Sequence, residues 1–272
     1  MKKDNNFAKS ISISLFFISL IIVFQKQGFS QEQTSTLYAL VEYMKVKPAD
    51  VDKYLNLEKT FWKPIQEERV KQKEIKGWRM FAVRYTGTGD EYNFVTATFF
   101  DDMSKLEKVY NVDIEKIHPG NDNDKAYQET LKSRELVKRN LLVITSSVNS
   151  NVPYKYLQVN FMKVEQGEES AYINVENSIW KPVHEELVKA GLKAGWSVWR
   201  VVYPGGSDTD YQFIVVDDLS EFSQITMVDY ESAFGKVHSG KNLNVLMEQT
   251  NKSRILVSSE LWESLDSVWE EQ

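Results

Sequence analysis

Two carboxylates lie within the aromatic and apolar face of a predicted helix, at equivalent places in a duplicated sequence. Each stands four residues after a tyrosine and four residues before a tryptophan, which gives the two triplets Tyr54, Glu58, Trp62 and Tyr172, Glu176, Trp180. Steps of four residues advance only about 40° around a helix, so the members of each triplet share one stripe. A carboxylate buried in such a stripe needs a cationic partner or has a raised pKa, which are properties of a general base or of a ligand-orienting anion.

An ion pair is the alternative explanation for each carboxylate. Arg134 and Arg254 are the candidate partners of Glu58 and Glu176, and a structural ion pair perturbs the pKa of a carboxylate as readily as catalysis does. The sequence leaves both explanations open. We therefore include the two arginines with the two triplets among the candidate ligand-binding residues.

Two of the three histidines are also equivalent in the two copies. His118 and His238 each come shortly before a glycine typical of a helix end, so capping of the helix C-terminus is one interpretation. A haem ligand or a proton shuttle is the other, and both residues join the candidate ligand-binding set. His184 has Gln66 as its counterpart, and we expect it on the surface. The sequence assigns no catalytic residue and no metal site.

The duplication extends over nearly all of the chain after its N-terminal segment. At a constant offset it aligns WKPIQEERV (Trp62–Val70) with WKPVHEELV (Trp180–Val188), and with small insertions it aligns FDD with VDD, IHPG with VHSG and KSR with KSR. A repeat of this length indicates two tandem domains and not a solenoid. We predict domains over residues 36–148 and 154–268, with a polar linker at Ser146–Pro153.

Each copy places a proline within the helix that carries its glutamate. Pro64 and Pro182 remove a helical hydrogen bond and clash with the preceding turn, at a cost on the order of 3 kcal/mol. We therefore predict that the helix kinks or breaks at Lys63 and at Lys181.

The N-terminal segment has the composition of a secretory signal peptide. Three lysines precede an apolar run, Ile11–Phe24, which polar and small residues follow. The run is shorter than the roughly 20 residues of a membrane-spanning helix. We predict a signal peptide over residues 1–30, cleavage near Ser30, and export to the periplasm or the extracellular space.

Charge and cysteine content exclude several classes of protein. The chain carries a formal charge of −6 and no cysteine. An acidic exported protein lacks the basic face that nucleic acids and anionic lipids require, so we expect no nucleic acid partner and no membrane association after cleavage. The lack of cysteine excludes a disulfide framework and thiol chemistry.

Hydrophobic periodicity gives the same order of elements in both copies. Alternation predicts strands at 38–46, 78–85, 92–100 and 141–148 in the first copy and at 156–164, 196–203, 211–216 and 255–259 in the second. In the first copy, helical spacing covers 48–76, 103–117 and 124–138. The order β-α-β-β-α-β is that of the ferredoxin-like split βαβ unit.

Both faces of the predicted sheets are apolar. Ala39, Val41 and Tyr43 lie on one side of the first strand, and Leu40 and Met44 lie on the other. A sheet whose helices cover one face needs a second partner for an apolar opposite face, so we expect the two copies to close sheet to sheet. The predicted fold class is α+β: two tandem ferredoxin-like domains packed as a pseudo-dimeric α/β barrel.

This element order and these two-faced strands resemble the dimeric α/β-barrel superfamily, in the form with both halves fused in one chain. The resemblance covers nearly all of the chain after residue 30 and rests on no diagnostic motif. It implies a range of activities that includes cofactor-independent monooxygenases, muconolactone-type isomerases and haem-degrading or haem-binding enzymes. Haem is the cofactor that the resemblance implies, but no residue matches a haem motif and the sequence itself requires no cofactor.

Three functions are compatible with these residues. The first is binding of a small apolar or aromatic ligand between sheet and helices, oriented by Glu58 and Glu176. The second is a cofactor-independent monooxygenase or isomerase, or a haem-handling enzyme, in which the carboxylates act with His118 or His238. The third is a non-catalytic structural or interaction module, in which the two repeats pair with each other and a further homo-oligomer stays open. We favour the first and the third, because no acid, base and electrophile stand at a recognisable spacing.

Overall fold

The computed structural model describes residues 36–108, 112–150 and 152–270. The predicted signal peptide lies outside the described residues. Among the described residues, no helix is long and apolar enough to cross a membrane.

Eight strands form a closed barrel in which every neighbouring pair is antiparallel. Their order around the barrel is β1-β3-β2-β8-β5-β7-β6-β4. The strands are β1 (Tyr38–Lys45), β2 (Gly77–Val83), β3 (Phe94–Phe100), β4 (Glu135–Asn149), β5 (Tyr156–Lys163), β6 (Gly195–Tyr203), β7 (Phe213–Leu219) and β8 (Ile255–Trp269). The apolar inner faces are thus enclosed in a closed barrel, in which the strands of the described residues leave no free sheet edge.

Two strands, β4 and β8, are long enough to join the halves. The first part of β4 pairs with β1 and its last part with β6, and β8 likewise pairs with β5 and then with β2. The linker predicted at Ser146–Pro153 is therefore wrong over its first residues, since Ser146–Asn149 form a ladder with β6. The helix predicted up to Lys138 also runs too far, because β4 begins at Glu135.

The helices lie outside the barrel, and the main helix of each half contains a π turn. In the first half, α1 (Val51–Leu57), a π turn (Glu58–Trp62) and α2 (Lys63–Lys71) follow one another, and then α3 (Ile114–Ile117) and α4 (Asn123–Ser133). In the second half, the order is α5 (Glu169–Val175), a π turn (Glu176–Trp180) and α6 (Lys181–Lys189), and then α7 (Gln224–Met227), α8 (Tyr230–Val237) and α9 (Leu243–Ser253).

The π turns correct the prediction of a break at the prolines. Lys63 and Lys181 keep helical backbone angles, and their N–H groups donate to Glu58 and Glu176, five residues back. The turn is widened by one residue directly before the proline, which relieves the clash between the ring and the preceding turn. The glutamate of each triplet is thus the first residue of a π turn.

The ladders also correct one part of the repeat alignment. Leu40 lies opposite Thr98 in the first half, and its repeat partner Gln158 lies opposite Asp217 in the second. Thr98 and Asp217 are therefore counterparts, and the alignment of FDD with VDD is out of register. Strand register follows the paired strand and not the similarity of a short acidic motif.

Both faces of the sheet are buried, as the alternation predicts. Ala39, Val41 and Tyr43 belong to the core inside the barrel, whereas Met44 and Trp78 pack under the helices of the first half. The space between sheet and helices is where each glutamate of the π turns points.

Candidate functional site

A cavity of about 260 Å³ lies between the sheet and the helices of the first half, and we call it the Glu58 pocket. It is lined by Leu40, Glu42, Met44, Glu58, Trp62, Gln66, Arg69, Trp78, Thr96, Thr98, Tyr127, Thr130, Leu131, Arg134, Leu136 and Arg139. Strands β1 and β3 form its floor, and the π turn and α4 form its roof. Aromatic rings, two carboxylates and three guanidinium groups therefore meet in one small space.

Glu58 is the central titratable group of this pocket. Its side chain is only 5 % exposed, and no ion pair to it forms within the part of the chain that the structure describes. Burial raises the pKa of Glu58 to about 7, although the charge of Arg134 and the hydroxyl of Tyr54 act in the opposite direction. Its carboxyl group therefore changes charge near neutral pH, as an acid or a base in catalysis must.

The guanidinium groups around Glu58 are held in different ways. Arg134 follows α4 in extended conformation, and its buried Nε has no hydrogen-bond partner among the described residues. Arg69 donates to Gln66 Oε1 at 2.7 Å, and Arg139 donates to Glu42 Oε1 at 2.7 Å. Arg134 is thus the cation with hydrogen-bonding capacity left for a ligand.

In the second half, the equivalent carboxylate is neutralised by an arginine. Arg254 Nη1 lies 2.5 Å from Glu176 Oε1, and the side chain of Glu176 is 1 % exposed. The guanidinium of Arg254 also lies 5.5 Å from the ring centroid of Trp180. Burial raises the pKa of Glu176 above its ordinary value, and Arg254 offsets only part of this shift. What distinguishes Glu176 from Glu58 is the short contact with a guanidinium, which is charge-assisted when the pair is ionised.

Other side chains fill the space beside this ion pair. His184 is buried, and its ring stacks on Trp196 at a centroid distance of 4.7 Å. Lys193 Nζ lies 3.4 Å from His184 Nδ1 and 2.5 Å from both Asp217 Oδ1 and the hydroxyl of Tyr230. The expectation that His184 lies on the surface is therefore wrong. Burial lowers the pKa of His184 well below its usual range, so the ring is neutral beside the ammonium of Lys193.

His118 and His238 make the same contact in the two halves. Each ring is buried, and its Nε2 lies 2.9 Å from the carbonyl oxygen of the π turn, Phe61 O and Ile179 O respectively. A carbonyl oxygen can only accept, so Nε2 of each imidazole carries the proton and donates it to the carbonyl of the π turn. The two histidines thus stabilise the π turns.

Haem does not fit these residues. The Nε2 atoms of His118 and His238 are engaged by backbone carbonyls, and His184 is enclosed by Trp196 and Lys193. None of the three lines the Glu58 pocket. A haem ligand needs a ring nitrogen free to reach the iron, so we derive no step through this cofactor.

The candidate residues named from the sequence fall into three groups. Glu58, Trp62 and Arg134 line the Glu58 pocket, and Tyr54 lies behind them with its hydroxyl 3.2 Å from Met44 Sδ. Tyr172, Glu176, Trp180 and Arg254 come together around an ion pair in the second half, and His118 and His238 bind the π turns.

Sequence reasoning missed the polar residues of the strands and of α2. Glu42, Thr96 and Thr98 interrupt the otherwise apolar helix-facing side of β1 and β3, and Arg69 and Gln66 lie one turn after the triplet. The interruption at Glu42 is a signal that could have been found, since Leu40 and Met44 beside it on the same face are apolar.

Comparisons with known proteins support the fold. No known family profile matches the sequence, and no curated protein matches it significantly. A crystal structure of an anthrone oxidase-like protein is similar, with a TM-score of 0.50 at 10 % identity over 88 % of this chain and 95 % of that one. A structure from Fusobacterium nucleatum subsp. nucleatum, provisionally named a monooxygenase, has a TM-score of 0.54 at 8 % identity over 87 % of this chain and 95 % of that one.

This chain shares its fold with these two structures, and the fold is the dimeric α/β barrel that the sequence resembles. It is a mixed α+β fold with a closed antiparallel barrel of eight strands. At these identities the similarity extends to the fold alone.

Proposed function

We propose that the Glu58 pocket binds a small aromatic molecule with one polar group, and that Glu58 exchanges a proton with it. One observation carries this proposal. Both π turns begin with a glutamate. In the second half, Glu176 is paired with Arg254, whereas in the first half Glu58 faces a cavity and its pKa is about 7. A buried carboxyl group without an ion pair is costly, and function is a common reason to keep one.

The walls of the pocket suggest the class of ligand. Trp62, Trp78 and Tyr127 supply aromatic surface, while Thr98 and Arg134 supply hydrogen-bonding groups. Small-molecule sites combine apolar walls with a few polar groups in this way, in volumes of roughly 300–1,000 Å³. A cavity of about 260 Å³ lies just below that range, which favours a ligand of one to three fused rings.

The same arrangement favours a second candidate function, which is enzymatic proton abstraction without a cofactor. The carboxylate of Glu58 would remove a proton from a carbon next to a ring carbonyl or conjugated with it through the ring, and the electron pair of the C–H bond would move to the carbonyl oxygen as an enolate. Arg134 lines the same cavity, and its guanidinium would stabilise that oxyanion. The anthrone oxidase-like and monooxygenase names of the two similar structures motivate this candidate by analogy of fold alone.

Binding is tested with 2-tetralone and anthrone, two aromatic ketones that can form enolates. We expect saturable quenching of tryptophan fluorescence, since Trp62 and Trp78 line the pocket. Glu58→Gln should remove the dependence of the affinity on pH near 7, and Glu176→Gln, the matched control in the second half, should keep it. Binding that is absent, or equal pH dependence in wild type and Glu58→Gln, would reject the proposal.

Catalysis is tested by deuterium incorporation into the same ketones in buffered D₂O, followed by NMR. The enzymatic candidate predicts exchange above the buffer rate in wild type and in Glu176→Gln, with a loss of roughly 100-fold or more in Glu58→Gln. Saturable binding with exchange at the buffer rate would leave the binding function and exclude the enzymatic one.

We also propose that the protein is exported and that it consists of two paired halves. The leader composition supports export with cleavage near Ser30, and the repeat supports two ferredoxin-like halves over 36–148 and 154–268 that pair with each other. Mass analysis of the protein from its own cell envelope would test cleavage directly, because retention of residues 1–30 would contradict export with processing.

A further inference from the structure

A second and larger cavity, of about 780 Å³, lies inside the barrel. All eight strands contribute residues to its wall, so it lies on the opposite face of the sheet from the Glu58 pocket. Small eight-stranded barrels are either filled by side chains or hold one small ligand. The volume of this cavity favours the second case, since it falls well within the range of ligand sites, roughly 300–1,000 Å³.

Aromatic side chains form much of the wall. The rings concerned belong to Phe81, Phe99, Trp199, Trp262 and Trp269. Trp269 approaches the backbone so closely that a Cβ at Gly77 would lie 2.6 Å from its ring, which makes glycine necessary at that position. These walls suit a flat aromatic molecule.

Arg79 lines this interior and forms no ion pair at salt-bridge distance with the described residues. The guanidinium carbon of Arg79 lies 4.2 Å from the ring centroid of Tyr154 and 5.0 Å from that of Trp269. Its Nε is buried and has no hydrogen-bond partner among the described residues. Stacking between two rings fixes the plane of a guanidinium and leaves its N–H groups to bind an anion.

An acid lies in the same part of the cavity wall. Burial raises the pKa of Asp218 to about 7, although the charge of Arg79 opposes the shift. A Cβ at Gly195 would lie 2.5 Å from Asp218 Oδ2, so glycine at 195 makes room for this carboxyl group. The repeat partner of Asp218 is Phe99, since each pairs with the equivalent glycine, and the polar group therefore occurs in the second half alone.

We propose that the interior of the barrel is a second ligand site, which binds an aromatic carboxylic acid with its ring between the tryptophans and its carboxylate on Arg79. Asp218 in its protonated form donates a hydrogen bond to the same carboxylate. The site does not depend on the function proposed for the Glu58 pocket, because the two cavities share no residue.

The test measures the affinity of the full-length protein for 2-naphthoate, benzoate and the uncharged methyl 2-naphthoate by tryptophan fluorescence. We expect saturable binding of 2-naphthoate. Arg79→Gln should weaken it roughly tenfold or more, because a charge-assisted hydrogen bond is lost, while leaving the affinity for the ester unchanged. Asp218→Asn should bind 2-naphthoate at least as tightly as wild type, since it removes a competing negative charge.

Glu58→Gln is the control that separates the two cavities. It should retain the 2-naphthoate binding that Arg79→Gln weakens, whereas loss of that binding in this variant would place the acid in the Glu58 pocket and overturn the proposal. Failure of both acids to bind saturably, or equal loss of acid and ester in Arg79→Gln, would overturn it as well. If Arg79→Gln does not fold, the ratio of acid to ester affinity in Arg79→Lys decides, and an unchanged ratio contradicts a bidentate contact.

Discussion

Glu58 and Glu176 begin the same π turn in the two halves of the molecule, yet their surroundings differ. Glu176 forms a short ion pair with Arg254, and His184, Lys193 and Asp217 fill the space beside it. Glu58 faces a cavity, and Arg134, the counterpart of Arg254, forms no ion pair with it in the described part of the chain. The duplicated scaffold thus holds its two equivalent glutamates differently, one in an ion pair and the other beside a cavity.

A few substitutions account for this difference. His184 replaces Gln66 and stacks on Trp196, while Asp217 replaces Thr98 and binds Lys193. In the first half the shorter, uncharged Thr98 lines the cavity instead. The residues that surround a repeated motif therefore decide whether the motif lines a cavity or forms a structural ion pair.

The largest expected effect comes from separating the halves. A chain of residues 36–150 would leave β2 without β8 and the last part of β4 without β6, and it would expose the apolar interior of the barrel. We expect it to aggregate or self-associate, and to show no cooperative unfolding by circular dichroism and ultracentrifugation. A monomeric, cooperatively folded fragment would show that the halves are independent, with residues 36–272 as the control.

Glutamine in place of each glutamate should have opposite effects on stability. The folded-state pKa of Glu58, about 7, is above its value in an unfolded chain, so the folded state binds the extra proton and loses stability as pH rises from about 4.5 to 7. That loss is about 3 kcal/mol in wild type. Glu58→Gln cannot ionise and should be more stable than wild type at pH 8, but not at pH 4.5.

Glu176→Gln should instead destabilise the protein by about 2 kcal/mol at pH 8, because Arg254 is left with an uncharged partner in a largely buried site. Urea unfolding of both variants at pH 4.5 and pH 8 measures these differences. Equal destabilisation of the two variants at pH 8 would mean that Glu58 is also a structural ion pair.

A smaller loss of stability, equal in the two halves, is expected where both halves make the same contact. His118→Ala and His238→Ala each remove a hydrogen bond to a π-turn carbonyl, at a cost of about 1–2 kcal/mol. The two free energies of unfolding should agree within about 0.5 kcal/mol. A large effect of His118→Ala on ligand binding, with a small effect on stability, would assign it a role in the site.

The sequence predicts the barrel and the two buried faces because alternation and the repeat are local signals. It does not predict the length of β4 and β8, since ELWESLDSVW contains polar residues that leave the end of β8 indistinct, and pairing with β2 supplies the missing stabilisation. Where a strand pairs with a second neighbouring strand, that pairing outweighs the weak strand propensity and the irregular pattern of its sequence.

The candidate site is predicted in part. The spacing of Tyr54, Glu58 and Trp62 identifies the stripe, but it cannot distinguish an open pocket from an ion pair. That distinction depends on the side chains of the strands opposite, such as Thr98 and Asp217, whose equivalence appears only in the strand register. The prediction that His184 lies on the surface was wrong for the same reason, because the helical pattern around His184 does not show its contacts with Trp196 and Lys193 on the neighbouring strand and loop.

A carbon-detected NMR titration of the glutamate carboxyl groups tests the contrast between the halves most directly. We expect one buried glutamate carboxyl to titrate with a midpoint near pH 7, its signal to disappear in Glu58→Gln, and the signal to persist in Glu176→Gln. A midpoint for Glu58 near 4.5, the ordinary value for glutamate, would contradict this expectation.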